Sequence, residues 1–407
     1  MDVSIDMKKL ADSLSGKLEC SIYRVAEPRR CSNPSHYTPQ MVSIGPFHHG
    51  KEELQPMEEH KRRYLKCFLQ RTEVCMTRFL TLIKDKEAEL RDCYAETIHN
   101  LGSDEFVTMV LVDAVFLIQT DDDRIFGKPE LHWDIRHDLW LVENQLPLFI
   151  LIDLFNLAKT KTCGDGFLKN MSFITISCAL IGKYRGARLP IPKNLLEIHF
   201  PNAKHFLDLI VLCLQPADTK PRAGTELKDP NIPSLKELHQ AGVKFKPAAG
   251  STRNLLDINF NQGILEIPYL TLYGSTERLY RNLIAFESMH GYTGYFNDYI
   301  IMMGDLVKTP KDAELLIRNK IFGLGNTEAL ATTFRKLDKD CAIDNFHFQY
   351  SGIVADLQDY SKLRWHKWRA TLKQNYFNTP WASISVIAAV ILLLLTATQT
   401  VSSLIAL

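Results

Sequence analysis

Three polar residues, Glu143, Asn144 and Gln145, interrupt an otherwise apolar run from Leu139 to Ile152, and Pro147 follows two positions later. A carboxylate with two amides offers the donors and acceptors needed to bind a small polar ligand or to move a proton. Burying such groups unpaired costs roughly 2–7 kcal/mol each, so they require partners. Arg91, Tyr94 and Asp113 are the candidates; Asp113 is itself set among Met109, Val110, Phe116 and Leu117. One reading is a binding pocket or acid–base site around Glu143 and Asp113. The other, which we prefer, is a satisfied buried network that fixes how helices pack.

His48 and His49 add imidazoles that could serve such a site. They lie in Gly45-Pro46-Phe47-His48-His49-Gly50-Lys51, which has the spacing of a phosphate-binding loop. That chemistry is rejected. Such a loop needs Ser or Thr after its Lys and small residues that let backbone N–H groups wrap phosphates, whereas Glu52 follows here and Pro46, Phe47 and both histidines crowd the turn. Adjacent side chains on an extended segment point to opposite faces, and no nearby Cys or carboxylate completes a tetrahedral metal set. No nucleotide, metal or cofactor is therefore assigned. Nor does any G-x-S-x-G, H-E-x-x-H or kinase-type set occur.

The elements that must position these groups are mainly helical. Residues 20–50 read as extended and loop-like, with Pro28, Pro34, Pro39 and Pro46. Helical spacing of apolar residues then covers Met57–Arg71 and Val74–His99. A break at Leu101-Gly102 precedes Ser103 as a helix cap, with Asp104 and Glu105 in the first turn of a helix reaching Gln119. Trp133–Phe155 reads as one buried helix bent at Pro147. The stretch 218–250, rich in Pro, Gly, Lys and Ala, reads as a loop or linker between an N-terminal half (20–217) and a C-terminal half (251–376), after an extension over 1–19. Alternation from Leu256 to Phe260, a turn at Asn261-Gln262-Gly263 and a return over Ile264–Tyr273 predict a hairpin, with Pro268 marking an edge or bulge. Helices follow over Thr276–His290, Tyr295–Val307, from Pro310 with Thr309 as cap, and over Thr327–Leu337. The expected fold is thus mainly α, a multi-helix globular body with a small β-hairpin.

After Lys373 no residue is charged, and Trp381–Thr398 is nearly unbroken apolar sequence. At about 1.5 Å per residue this is just long enough to cross a bilayer, so a C-terminal transmembrane helix over 381–401 is expected. Lys362, Arg364, Lys367, Arg369 and Lys373 precede it, which places the large N-terminal region on the cytosolic side of a plasma or internal membrane. The bilayer would then be one partner. A formal charge of +1 over 407 residues gives no basic field for nucleic acid. Nine scattered cysteines without a C-x-x-C fit a reducing compartment, where the sequon Asn170-Met171-Ser172 would be silent.

Several segments together resemble the plant proteins that carry domain of unknown function 247. They are Ile22–Val25, Tyr37–Gln40, Val42–Gly50, Met57–Lys61, Glu105-Phe106 and Glu143–Pro147, then Gly242–Lys246, Leu256–Ile258, Leu265–Pro268, Arg281–Glu287 and Pro380–Ala382. Ala26, Phe47 and Ala114-Val115 depart from the family's usual residues. The resemblance implies a plant protein with a helical body and a C-terminal membrane helix, and it supplies no catalytic residues. Two functions are weighed: a tethered protein-interaction or signalling/recognition module with unidentified protein partners, and an enzyme built around Asp113, Glu143 and a histidine. The first is preferred. A pore assembled from the span has only Ser383, Ser385, Ala388 and Ala389 in its favour.

Overall fold

The computed structural model describes residues 20–119, 129–161, 171–182, 191, 193–215, 226–248, 254–290, 294–323, 326–362 and 380–405. The N-terminal extension 1–19, Cys163, Asn170 of the sequon and the basic flank from Arg364 to Lys373 lie outside them. Seventeen α-helices are present among the described residues. A short α1 (Glu27–Ser32) precedes α2 (Gln55–Thr72), α3 (Met76–Asp85), α4 (Glu87–Asp92) and α5 (Ser103–Gln119). Then come α6 (Pro129–Leu139), α7 (Leu148–Lys161), α8 (Phe173–Gly182), α9 (Lys193–His199), α10 (Phe206–Leu214) and α11 (Leu235–Gln240). After three strands follow α12 (Thr276–His290), α13 (Tyr295–Leu306), α14 (Pro310–Arg318), α15 (Thr327–Asp338), α16 (Ser351–Lys362) and α17 (Pro380–Ile405).

Helix α5 is the axis of the first half. From Val110 to Gln119 every side chain on it is buried, because α2, α3 and α7 pack around it. Helix α2 presents Met57, Lys61, Tyr64, Leu65 and Phe68 at helical spacing to that axis, while Arg62, Arg63 and Lys66 stay outside. Buried residues from both halves join one continuous apolar core, running from Ile22 to Leu357.

The strands form a three-stranded sheet in the order β1–β3–β2, with β1 (Lys244–Pro247) parallel to β3 (Ile264–Ile267) and β2 (Asn259–Asn261) antiparallel to it. Gln262 and Gly263 turn the hairpin with φ of 48° and 75°, the left-handed pair that matches strand twist. Gly263 also admits no side chain: a Cβ there would lie 2.5 Å from the Tyr360 hydroxyl.

The structure departs from the expected elements in five places. Val74–His99 is two helices, α3 and α4, followed by a loop to Ser103. The predicted helix over Trp133–Phe155 is likewise two, α6 and α7, joined by Trp140–Pro147; a proline just ahead of α7 removes an N–H that has no helical acceptor there anyway. Within 218–250, the described part holds α11, capped by Ser234 and Glu237, and strand β1, a parallel strand that hairpin logic could not supply. The strand after the turn stops at Ile267, before Pro268.

The fifth departure corrects the expected transmembrane helix. Pro380–Ile405 is helical, yet among the described residues no helix is long and apolar enough to cross a membrane. Toward its C-terminal end the helix carries Thr396, Thr398, Gln399 and Thr400, and the three threonines turn their hydroxyls back onto the helix's own carbonyls. The orientation read from the basic flank rested on that span.

Candidate functional site

Residues 37–50 run through the interior as a loop, and a buried loop must find partners for its own backbone. Side chains supply them one after another. Asp138, at the end of α6, accepts the N–H groups of Gln40 (3.0 Å), Met41 (2.6 Å) and Val42 (2.9 Å). Asn144 accepts Ile44 N–H at 2.7 Å and donates to the carbonyls of Val42 and Asp138, both at 3.0 Å. Asp113 accepts Gly45 N–H at 2.8 Å. Lys61 donates to Ser43 O at 2.7 Å and pairs with both Asp113 and Glu58.

Glu143 ties down the segment before this loop. It accepts Val25 N–H at 2.8 Å, pairs with Arg30, and has Arg24 at 3.9 Å. His48 Nε2 lies 3.1 Å from Glu143 Oε2, close but not aligned as a hydrogen bond. Burial alone would raise the Glu143 pKa, yet His48, Arg30 and the Val25 N–H together bring it down to about 2. Burial lowers that of His48, so the imidazole stays neutral against Glu143. Gln145 faces its own turn, donating to the carbonyls of Leu139 (2.7 Å) and Leu141 (2.8 Å), and the Tyr94 hydroxyl donates to Gln145 O at 3.1 Å.

Of the residues singled out from sequence, Tyr94, Asp113, Glu143, Asn144, Gln145 and His48 thus come together. Arg91 does not: it bonds Glu87 and the carbonyls of Ile98 and Leu101, and stacks on Phe106. His49 is half-buried beside the cluster without joining it. Sequence reasoning missed Lys61, Asp138, Asn282 and the arginines 30 and 278. Lys61 was findable, since helical spacing sets it on the face of Met57, Tyr64 and Leu65. Asn282, which accepts Val142 N–H at 3.0 Å and donates to His36 O at 2.8 Å, reaches in from the other half of the chain.

Chemically the cluster is poorly placed to turn over a substrate. The side chain of Glu143 is 0% exposed and that of Asp113 1%, so no reacting atom reaches either. A carboxylate held near pKa 2 is also a feeble base at neutral pH. What the arrangement does is to hold residues 22–50 against α2, α5, α6 and α12.

The chain belongs to the DUF247 family, described as a plant protein of unknown function, whose model matches residues 22–395. It is similar to UPF0481 protein At3g47200 of Arabidopsis thaliana, with 29% identity over 95% of this chain and 86% of that protein. Putative UPF0481 protein At3g02645, also of Arabidopsis thaliana, is 25% identical over 93% of this chain and 89% of its own length. No solved structure matches.

Proposed function

We propose that this chain is a protein-interaction or signalling/recognition module. The observation that supports it most is the loop joining α15 to α16. Phe346 there is 70% exposed and Ile343 43%, although the loop itself is held firmly. Asn297 brackets Ala342 through both its N–H (3.2 Å) and its carbonyl (2.9 Å), and Leu227 N–H bonds Asn345 O at 2.8 Å. A large apolar side chain displayed on a fixed loop loses little entropy when covered, which is the property of an interface anchor. The sealed Glu143 cluster supports the same reading from the other side, since it removes the residues on which an enzyme reading depended.

The test is crosslinking and mass spectrometry of the full-length protein in plant tissue, alongside Phe346→Ser. Reproducible neighbours crosslinked near residues 341–347 and lost in the variant are expected. Neighbours recovered equally by both proteins would place the interaction elsewhere, and none at all would sink the reading.

A further inference from the structure

Two open clefts of about 490 Å³ each indent the described surface, and their linings differ in sign. The first, beside Pro147, sets Lys204 against Glu89 and Asp92. The second lies where the 35–40 segment, the end of α6 and the start of α12 meet. Ser35, His36, Gln40, His137, Ser275 and Arg278 line it, and among the described residues no carboxylate stands in its wall.

Arg278 is short of negative charge. Its Nη2 donates to Thr38 O (2.6 Å) and to Asp138 Oδ1 (3.0 Å), but Asp138 already serves three backbone N–H groups, and Nε is buried with no partner. Burial outweighs Asp138 and lowers the Arg278 pKa, the mark of a cation incompletely neutralised. The serines and Gln40 add uncharged donors, and the N-terminal end of the 15-residue α12 adds a dipole of the same sign.

We propose that this cleft binds an oxyanion, a carboxylate or phosphate monoester, with Arg278 as its anchor and His36 and His137 as its pH-dependent walls. Burial lowers the pKa of both histidines, so both are neutral in the empty cleft at neutral pH. His36 is faced by Arg281 and Arg278 on one hand and by Glu277, 3.7 Å from its Nε2, and Asp340 on the other; His137 is faced by Arg278 and Asp134. Neither Glu277, Asp134 nor Asp340 lines the cleft. A bound anion raises both histidine pKa values, so affinity rises as the pH falls through their range. The inference stands apart from the interaction reading, because it concerns a different surface from Phe346.

Sulfate is the probe, since it remains a dianion throughout the range tested. Calorimetric titration of the full-length protein at constant ionic strength, at about pH 5.5 and pH 8, reads the site across the ordinary histidine pKa. Saturable binding that is at least about tenfold tighter at the lower pH is expected, because the bound dianion draws protons onto the two histidines more readily there. The double variant His36→Asn/His137→Asn should hold the weaker affinity at both pH values, and Lys204→Ala in the other cleft should change nothing. Arg278→Lys disturbs the contacts with Thr38 and Asp138 as well as the cleft, so the histidine pair decides. Non-saturable binding, equal affinity at both pH values, or pH dependence that survives in the double variant would overturn the proposal. Free O-phosphoserine and the same residue within a short glycine peptide then separate the sources: tighter binding of the peptide assigns a partner's side chain, and tighter binding of the free compound a small molecule.

Discussion

Glu143 and Glu287 are both buried glutamates that accept backbone N–H groups, yet their environments drive them in opposite directions. Glu143 takes Val25 N–H and stands among Arg30, Arg24 and His48. Glu287, near the end of α12, accepts Phe296 N–H at 3.0 Å and Asn297 N–H at 2.9 Å across the turn into α13, and no cation stands with it in an ion pair among the described residues. Burial raises the Glu287 pKa to about 7 in spite of those two amides, whereas His48, Arg30 and the Val25 N–H overcome burial at Glu143 and hold it at about 2. Amide donors alone thus do not keep a buried carboxylate ionised here; side-chain donors together with the Arg30 charge do. The first cluster is a permanent clamp, and the second a group whose charge is in balance near neutrality. Asp298, close by, follows Glu287, with burial raising it to about 7 while Gln349 N–H pulls the other way.

The largest effect expected is at Glu143. Glu143→Gln strands Arg30 and His48 and should cost about 3–5 kcal/mol at pH 7, as removal of one member of a buried charge pair does. Urea unfolding of the purified variant measures it. A loss under about 1 kcal/mol would mean that the cluster is not a clamp and would reopen it as a binding site.

Glu287 gives the opposite sign. Its folded pKa stands above its unfolded one, so its contribution is complete below about pH 4.5 and is lost as the pH rises through about 7. At about 1.4 kcal/mol per unit the swing is about 3 kcal/mol. Glu287→Gln should therefore be neutral or stabilising at pH 8 and should flatten the fall in stability between pH 5 and 8, read from melting curves against pH. Glu143 runs the other way: with a depressed folded pKa, its contribution is present above about pH 4.5 and lost as the pH falls to about 2. A variant of Glu287 that destabilised the protein at pH 8 as much as Glu143→Gln does at pH 7 would erase the contrast.

How much of this was legible beforehand follows from the physics of each group. Glu143, Asn144 and Gln145 announced themselves because polar residues inside an apolar run must be paired, and they pair in turn with Val25 N–H, Ile44 N–H and Leu139 O. Helices α2, α5, α12 and α14 were readable from period and caps, down to Thr309 ahead of Pro310. Glu287 was not, since Arg281–Glu287 gave no sign of which helix end it would cap. Strand β1 was hidden for a related reason: its partner β3 is parallel and some twenty residues on, so no turn chemistry marks it. The C-terminal apolar run shows the converse error, in which composition alone was read as a span.

Within the Glu143 cluster the two arginines grade the effect further. Arg30 pairs directly with Glu143 and is 19% exposed, so Arg30→Met should cost about 1.5–3 kcal/mol, the value of a hydrogen bond to a charged group, and should raise the Glu143 pKa. The acid limb of the stability profile would then move to higher pH.

Arg24 is the smallest expectation and the sharpest check on the role of counter-charge. It stands 3.9 Å from Glu143 and is 38% exposed, and it is also engaged with Glu96 at 2.7 Å and lies over the Phe47 ring at 4.5 Å. Water and salt screen a pair so placed, so Arg24→Ala should cost about 0–1 kcal/mol. Part of that is packing lost over Phe47, which Arg24→Met would largely restore. If Arg24→Ala cost as much as Arg30→Met, the low Glu143 pKa would stem from the summed field of the surface arginines and not from direct contact. Raising the salt concentration would then close the gap between wild type and variant, whereas contact through Arg30 predicts a difference that salt leaves nearly unchanged.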